Sequence, residues 1–285
     1  MDSIVIEYPK NLTDYRLLDS GNREKLETFS GYTVIRPDPR AFWTPNSPSE
    51  WDNADAKYIR TDAEHGTWKM KRPPPNPWYF TYGNLRFFLH PTDFKHVGIF
   101  PEQAVNWDFL TQTIAGSPLK VLNLFGYTGA ATVVATSAGA FVTHVDSSKP
   151  SIVWAKKNYA VNSLPAHGVR WIEDDAYKFV VREKKRGNTY DGVIMDPPRF
   201  GRGAKGEVWK LTDDLPKLLV AVKEILSSRT SFVLINVYTA DISAVALYNL
   251  ASSLLQGGSI SVGELALKES DSGRLLPNGL FLRRQ

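Results

Sequence analysis

From about residue 118 onward the chain repeats one unit: a short apolar run, a glycine or acid at its end, then a segment able to form a helix. KVLNLF (120–125), FVTHVD (141–146), VRWIED (169–174), DGVIMD (191–196) and SFVLINV (231–237) are five candidate buried strands. Alternation of this kind predicts a doubly wound, mostly parallel α/β sheet. SISVGEL (259–265) and GLFLRR (279–284), separated by the turn-like SDSGRLLPN, read as two more strands that end the sheet as an antiparallel pair, making seven.

The first hundred residues follow a different rhythm. Pro37, Pro39, Pro45, Pro48 and the run KRPPPNPW (71–78) punctuate short segments such as YTVIR (32–36). WYFTY and LRFFL, joined by Gly83-Asn84, have the pattern of a β-hairpin. The expected organisation is a small β-rich module over 1–92 and an α/β domain over 93–285. Trp43, Trp51, Trp68 and Trp78 either fill the core of the small module or stack on bases.

Composition narrows the chemistry. With 285 residues and 42% hydrophobic content the chain can build a substantial core. No apolar run approaches the ~20 residues of a membrane span, and the N-terminal MDSIVIEYPKNLTDYR lacks a basic segment followed by an apolar one, so a cytoplasmic location is expected. Cysteine is absent, which excludes disulfides, thiolate metal sites and a thiol nucleophile. His65, His90, His96, His144 and His167 show no metal-ligand spacing, and no metal is expected. A net charge of +4 is compatible with a polyanionic partner without demanding one. EKKRG (183–187), the densest charged cluster, reads as the solvated end of a helix.

Ligands of open α/β sheets bind beyond the carboxyl ends of the strands, so those ends are read as one constellation. In NLFGYTGAAT (123–132), Gly126 and Gly129 permit a tight turn and close backbone approach, and a small-residue helix offers N–H groups at its start. The stretch is a cradle for a carboxylate or phosphate, or a plain glycine turn; its G-x-x-G spacing does not meet the dinucleotide fingerprint. In HVDSSKP, Ser147 or Ser148 can cap a helix with Pro150 in its first turn, and Asp146 either takes both hydroxyls of a ribose or belongs to the cap. In EDDAYKF, one of Asp174 and Asp175 accepts the exocyclic amine of an adenine, or both mark a solvated helix start.

The fourth end is VIMDPPRFGRG (193–203). Two successive prolines fix φ and remove two donors, so the chain beyond Asp196 neither pairs as a central strand nor enters a helix freely. Something is held stiffly at a strand tip. A glycine turn, a ribose acid and an adenine acid together describe a nucleoside ligand, with Asp196-Pro197-Pro198 beside it.

Through FKHVGIFPEQ (94–103), NLFGYTGAAT, HVDSSKP, EDDAYKF and MDPPRFGRG the chain resembles class I S-adenosylmethionine-dependent methyltransferases. The nearer resemblance is to the bacterial branch of large-subunit rRNA base methyltransferases that carry a small β-rich domain before a Rossmann-like catalytic one. It implies that Phe125, Gly126, Tyr127, Thr128 and Gly129 line the methionine part of S-adenosylmethionine and that Asp146, with Ser147, binds its ribose. It further implies that Asp175, with Asp174 and Ala176, meets the adenine amine, and that Asp196, Pro197, Pro198 and Phe200 form the catalytic floor under the methyl group. Lys95, Phe100 and Gln103 border the same pocket in this reading, while His96 stands where a threonine is more usual.

Methyl transfer from a sulfonium is an in-line displacement, so the protein mainly holds a nucleophile against the methyl carbon and excludes water. In the RNA enzymes that resemble this one, attack by pyrimidine C5 needs a cysteine adduct, and this chain has none. A base nitrogen is the expected acceptor, with guanine N7 set ahead of an amine because the motif is Asp-Pro-Pro-Arg-Phe where amine methylation usually shows Asn-Pro-Pro-Tyr. Phe200 is placed to stack on a flipped base, and Arg199, Arg202, Lys205 and Lys210 to clamp phosphates of RNA, rRNA in the resemblance. The alternatives are methylation of a small molecule or protein side chain, and a non-catalytic RNA-binding or assembly protein that has kept the fold.

Overall fold

A computed structural model describes residues 3–62, 65–202, 206, 208–229, 231–238, 241–255 and 257–285. The chain divides into two compact units, one comprising Met1–Glu7, Asn106–Leu265 and Gly279–Gln285, the other Tyr8–Val105 and Ala266–Asn278.

The first unit is built on an eight-stranded sheet. Its strands are β1 (Val5–Glu7), β2 (Lys120–Leu124), β3 (Phe141–Asp146), β4 (Val169–Glu173), β5 (Gly192–Met195), β6 (Phe232–Val237), β7 (Ile260–Lys268) and β8 (Leu275–Arg284). The spatial order is β1-β7-β8-β6-β5-β2-β3-β4. The pairs β2/β3, β3/β4, β2/β5 and β5/β6 are parallel, whereas β8 runs antiparallel to β6. All seven expected strands are present, and the eighth is Val5–Glu7, which pairs in parallel with Gly263–Leu265. Three residues are too few to show a period, and this short edge strand carries no signal of its own in the sequence.

Helices α1 (Ala130–Ser137), α2 (Lys149–Ala160), α3 (Ala176–Arg186), α4 (Leu211–Lys223) and α5 (Ala244–Leu254) alternate with these strands. Leu122, Leu124, Val193, Met195, Val233 and Ile235 on the strands and Phe179, Leu215, Leu218, Leu219 and Val222 on the helices form one buried cluster. Burying each such side chain stabilises the fold by about 1.5–3 kcal/mol. From β2 the chain steps outward through β3 to β4, then returns to β5 on the other side of β2. The order therefore reverses between β2 and β5, which leaves a crevice beyond their carboxyl ends.

The charged stretch ending α3 is solvated only in part. Lys184, Lys185 and Arg186 are exposed and Gly187 closes the helix at φ 71°, but Glu183 is fully buried. Its carboxylate accepts from the Tyr190 hydroxyl at 2.7 Å, Asn188 Nδ2 at 2.9 Å and Arg186 at 2.8 Å. Burial favours its neutral form, and these donors outweigh that, holding its pKa below the usual carboxylate range.

The second unit carries a five-stranded sheet in the order Tyr15–Gly21, Glu24–Phe29, Tyr32–Pro37, Ala56–Arg60, Gly66–Met70. Tyr79–Tyr82 and Leu85–Phe88 form the hairpin foreseen around Gly83-Asn84, with Tyr82 opposite Leu85. The four tryptophans of this unit all place their indole N–H on internal acceptors: Trp43 on Ser20 O, Trp51 on Asp19 Oδ2, Trp68 on Thr92 O and Trp78 on Phe29 O. These bonds fasten the indoles within the unit, and Trp78 is buried in its core while the other three are half-buried. The turn-like stretch SDSGRLLPN and Glu269 just before it have partners in this unit: Glu269, 1% exposed, accepts from Ser20 Oγ and Asn46 Nδ2, and Ser270 N–H donates to Leu17 O at 2.8 Å.

Candidate active site

The loop after β2 is unusually constrained. Phe125 and Tyr127 adopt positive φ (58° and 46°) on either side of Gly126, and Gly129 follows at 80°. Non-glycine residues in this region cost about 1–3 kcal/mol each and persist only where their surroundings fix them. Three bonds do so here. Gly126 N–H donates to Val145 O at 3.1 Å, Tyr127 N–H to Asp146 Oδ2 at 2.8 Å, and the buried Asn158 of α2 donates from Nδ2 to Thr128 O at 2.8 Å. The loop is thus shaped before any ligand arrives.

Both glycines make close approaches to protein atoms. A Cβ on Gly126 would fall 2.4 Å from the His144 ring, and one on Gly129 2.8 Å from Ala155 Cβ. His144 is fully buried, its Nδ1 2.9 Å from Thr132 Oγ1, which also accepts from Asn123 Nδ2 at 2.8 Å. Its Nε2 is the one buried side-chain polar atom lacking a hydrogen-bond partner among the described residues, and burial lowers its pKa to about 3, leaving the ring neutral. Gly129 is also the N-cap of α1 and has no side chain to cap the helix, so the first-turn N–H groups lack a side-chain acceptor from that position.

Asp146 closes β3 with both carboxylate oxygens engaged, Oδ2 by Tyr127 N–H and Oδ1 by Ser148 N–H, each at 2.8 Å. Burial pushes its carboxyl above the usual carboxylate range, against the lowering effect of the Ser148 and Tyr127 amides. Ser148 is the cap of α2, accepting from Ser151 N–H at 3.3 Å, and Pro150 lies in the first turn. After β4, Asp175 caps α3 by accepting from Lys178 N–H at 2.8 Å, while Asp174 accepts from Asp175 N–H at 2.9 Å and pairs with Arg182.

One cleft collects these ends. Phe125, Val145, Asp146, Ser147, Asp174, Asp175, Ala176, Pro198, Gly201 and Trp209 line it, and it holds about 460 Å³ of empty space, part of it open to solvent. Acids stand on the β3 and β4 side, aromatic rings and a proline on the β2 and β5 side. An adenosine-like ligand suits that division, with acceptors for hydroxyls and an amine facing an apolar wall.

Beyond β5, Asp196 N–H donates to Leu124 O at 3.4 Å, Pro197 is buried, and Pro198, Arg199 and Phe200 are exposed. The basic stretch read as a loosened loop opens and closes as a hairpin, with Phe200–Arg202 antiparallel to Val208–Lys210. Arg199 pairs with Asp241 at 2.7 Å, and Lys210 is exposed at the start of α4, its N–H donating to Asp214 at 2.9 Å. Lys205 and the side chain of Arg202 lie outside the described residues. Lys95, Phe100 and Gln103 belong to the second unit. There Lys95 Nζ donates to Pro37 O at 3.2 Å with its pKa lowered by burial to about 8, Phe100 lies 5.1 Å from the His96 ring, and Gln103 is buried.

Sequence reasoning passed over one residue that shapes the loop after β2 and one that lines the cleft. Asn158 sits inside an otherwise ordinary helix, where a buried amide is the only signal. Trp209 follows the glycines and charges of a segment that reads as solvated loop, yet it is 9% exposed, donates from its indole to Pro198 O at 2.7 Å and packs on Phe125 with ring centroids 5.0 Å apart.

Among the described residues no group of three or more His, Cys, Asp or Glu could hold a metal ion, and no helix is long and apolar enough to cross a membrane.

Comparison with known proteins agrees with this geometry. Residues 56–249 match the family model for S-adenosylmethionine-dependent methyltransferases. A crystal structure of the SAM-dependent methyltransferase from Agrobacterium tumefaciens superposes with a TM-score of 0.94 at 42% identity, covering 99% of this chain and 93% of that one. The structure of SMU.776 complexed with SAH shares the fold, with a TM-score of 0.76 at 20% identity over 97% of this chain and 76% of that one. Among curated proteins, the ribosomal RNA large subunit methyltransferase K/L of Shewanella baltica (strain OS195) is 32% identical over 157 residues, 54% of this chain but 21% of that protein. The ribosomal RNA large subunit methyltransferase K of Neisseria meningitidis is 27% identical over 52% of this chain and 42% of its own length. The chain thus matches less than half the length of these curated relatives. A strained, pre-shaped loop after the first central strand, acids closing the next two, and a family match across both flanks make the chain a member of the S-adenosylmethionine-dependent methyltransferase family.

Proposed function

We propose that the protein transfers a methyl group to a nucleobase nitrogen in RNA, rRNA first, with guanine N7 ahead of an exocyclic amine. The observation that carries this reading is the exposed strip Pro198-Arg199-Phe200 at the edge of the cleft, where Phe200 is 50% exposed on a backbone stiffened by two prolines. An aromatic ring on a rigid platform beside the methyl donor suits a base taken out of its stack. The names carried by the curated relatives support RNA as the substrate class.

S-adenosylmethionine supplies an electrophilic methyl group on a sulfonium. The residues of this chain bind and orient. Asp146 and Ser147 take the ribose, Asp175 with Asp174 and Ala176 the adenine, and the loop Phe125 to Gly129 the methionine end. Asp196 accepts a hydrogen bond from the base and fixes which nitrogen faces the methyl carbon, and Pro197 and Pro198 hold that carboxylate in place. A ring nitrogen such as N7 attacks with a lone pair and has no proton to lose, so no general base is required. Arg199 and Lys210 meet phosphates. With no cysteine in the chain, methylation of pyrimidine C5 through a thiol adduct is excluded.

The test is incubation with labelled S-adenosylmethionine and total RNA from a strain lacking the protein, followed by nucleoside mass spectrometry. Label in a base-methylated purine supports the reading. Label confined to protein or to small molecules places the enzyme elsewhere.

A further inference from the structure

Trp209 joins two parts of the cleft. Its ring packs on Phe125, in the strained loop after β2, with centroids 5.0 Å apart and planes at 59°. Its indole N–H donates to the carbonyl of Pro198, on the platform after β5, at 2.7 Å. The strand pairing places it opposite Gly201, and both line the cleft. A proline-rich segment has few donors of its own to anchor it, so an external donor on Pro198 O constrains the platform more than it would an ordinary strand.

We propose that Trp209 is a positioning residue of this cleft: its ring forms the wall against which the cofactor is seated, and its N–H holds the Pro198 platform at a fixed distance from that wall. The proposal rests on the cleft being the cofactor site. One side chain then sets two spacings, that of the ligand from the β2 loop and that of the acceptor platform from the ligand. The two functions separate by substitution, because phenylalanine keeps a ring and lacks the donor while leucine lacks both.

The experiment compares the full-length protein with Trp209→Phe and Trp209→Leu, using S-adenosylhomocysteine as the probe. Binding is followed by calorimetry and by tryptophan emission, and methyl transfer to RNA is followed under single turnover at saturating cofactor. Ligand binding beside Trp209 changes the emission of the wild type, and that change is absent from Trp209→Phe. Calorimetric affinity of Trp209→Phe stays within about threefold of wild type, whereas Trp209→Leu binds about tenfold more weakly through loss of the aromatic wall. Transfer by Trp209→Phe falls by about tenfold or more, because the platform loses its anchor.

An emission change that persists in Trp209→Phe, or wild-type affinity in Trp209→Leu, overturns the wall. Wild-type transfer by Trp209→Phe overturns the anchor. Should Trp209→Leu fail to fold, the emission and affinity of Trp209→Phe still decide. Should the wild type bind S-adenosylhomocysteine yet methylate no RNA, the substrate reading fails while the binding measurements judge Trp209 on their own.

Discussion

Asp146 is expected to serve two purposes at once, and substitution separates them. Its two oxygens each accept one backbone N–H at 2.8 Å, from Tyr127 and Ser148. Replacement by alanine leaves both donors without that partner, and a donor left unsatisfied costs about 1–3 kcal/mol. Because the site borders an open cleft, water restores part of this, and a loss near the lower end, about 2 kcal/mol for the pair, is expected. Asp146→Asn keeps one acceptor oxygen and turns an amide donor toward the other N–H, so it should lose roughly half as much. Hydrogen bonds from ligand hydroxyls to a carboxylate contribute about 1.5–3 kcal/mol, so S-adenosylhomocysteine should bind about 10–100-fold more weakly to Asp146→Ala.

The same site gives a pH signature. The carboxyl is held above its ordinary range by burial, so it takes up a proton at higher pH than a solvated aspartate. Ligand affinity should fall as pH drops through that raised pKa, and this acid limb should vanish in Asp146→Asn. The stability effect has the opposite sense, since a raised carboxylate pKa makes the fold more stable below the unfolded value and less so as pH rises through the folded one. Calorimetry across pH on folded variants reads the first effect, and thermal unfolding the second. Wild-type affinity in a folded Asp146→Ala would show that the residue only staples the loop.

His144, buried and held at about 3, contributes stability above its unfolded pKa that is lost as pH falls through roughly 6.5 toward 3, with a slope near 1.4 kcal/mol per pH unit. Urea unfolding of His144→Gln between pH 6 and pH 4 should lose that share of the slope, and an unchanged slope would contradict the assignment. Asp196→Ala should keep S-adenosylhomocysteine affinity yet slow single-turnover transfer by about 100-fold, and Asp196→Asn should be tolerated better by an amino acceptor than by a guanine held through donors alone. Replacing Arg199 and Lys210 together by alanine should lower the salt slope of RNA binding by roughly 0.7–0.9 for each phosphate no longer neutralised; an identical slope would place the RNA elsewhere.

The central strands were legible because each is a short apolar run, and four of the five are stopped by a glycine or an acid, a punctuation that locates the ends where ligands bind. Asp146, Asp174 and Asp175 could be placed for the same reason. Neither reading offered for each of them excludes the other: Asp175 caps α3 and still lines the cleft, and Asp146 staples a loop while facing the same space. What stayed hidden depends on partners that only the folded chain brings together. Glu183 sits in a charged run that looks solvated, and only convergence of Tyr190, Asn188 and Arg186 explains its burial. Trp209 is masked by glycines and lysines that read as loop. Gly126 and Gly129 were read as making room for a ligand, whereas the atoms they crowd, on His144 and Ala155, belong to other elements of the fold.

The claim that the strand-end cleft of the first unit seats the cofactor is tested most directly by a crystal structure of the protein with S-adenosylhomocysteine. The ligand is predicted to lie in the cleft with its ribose hydroxyls on Asp146, its adenine beside Asp175 and Ala176, and its sulfur toward the segment from Asp196 to Pro198. Bound ligand making no contact with Asp146, or lying away from the loop Phe125 to Gly129, would contradict it.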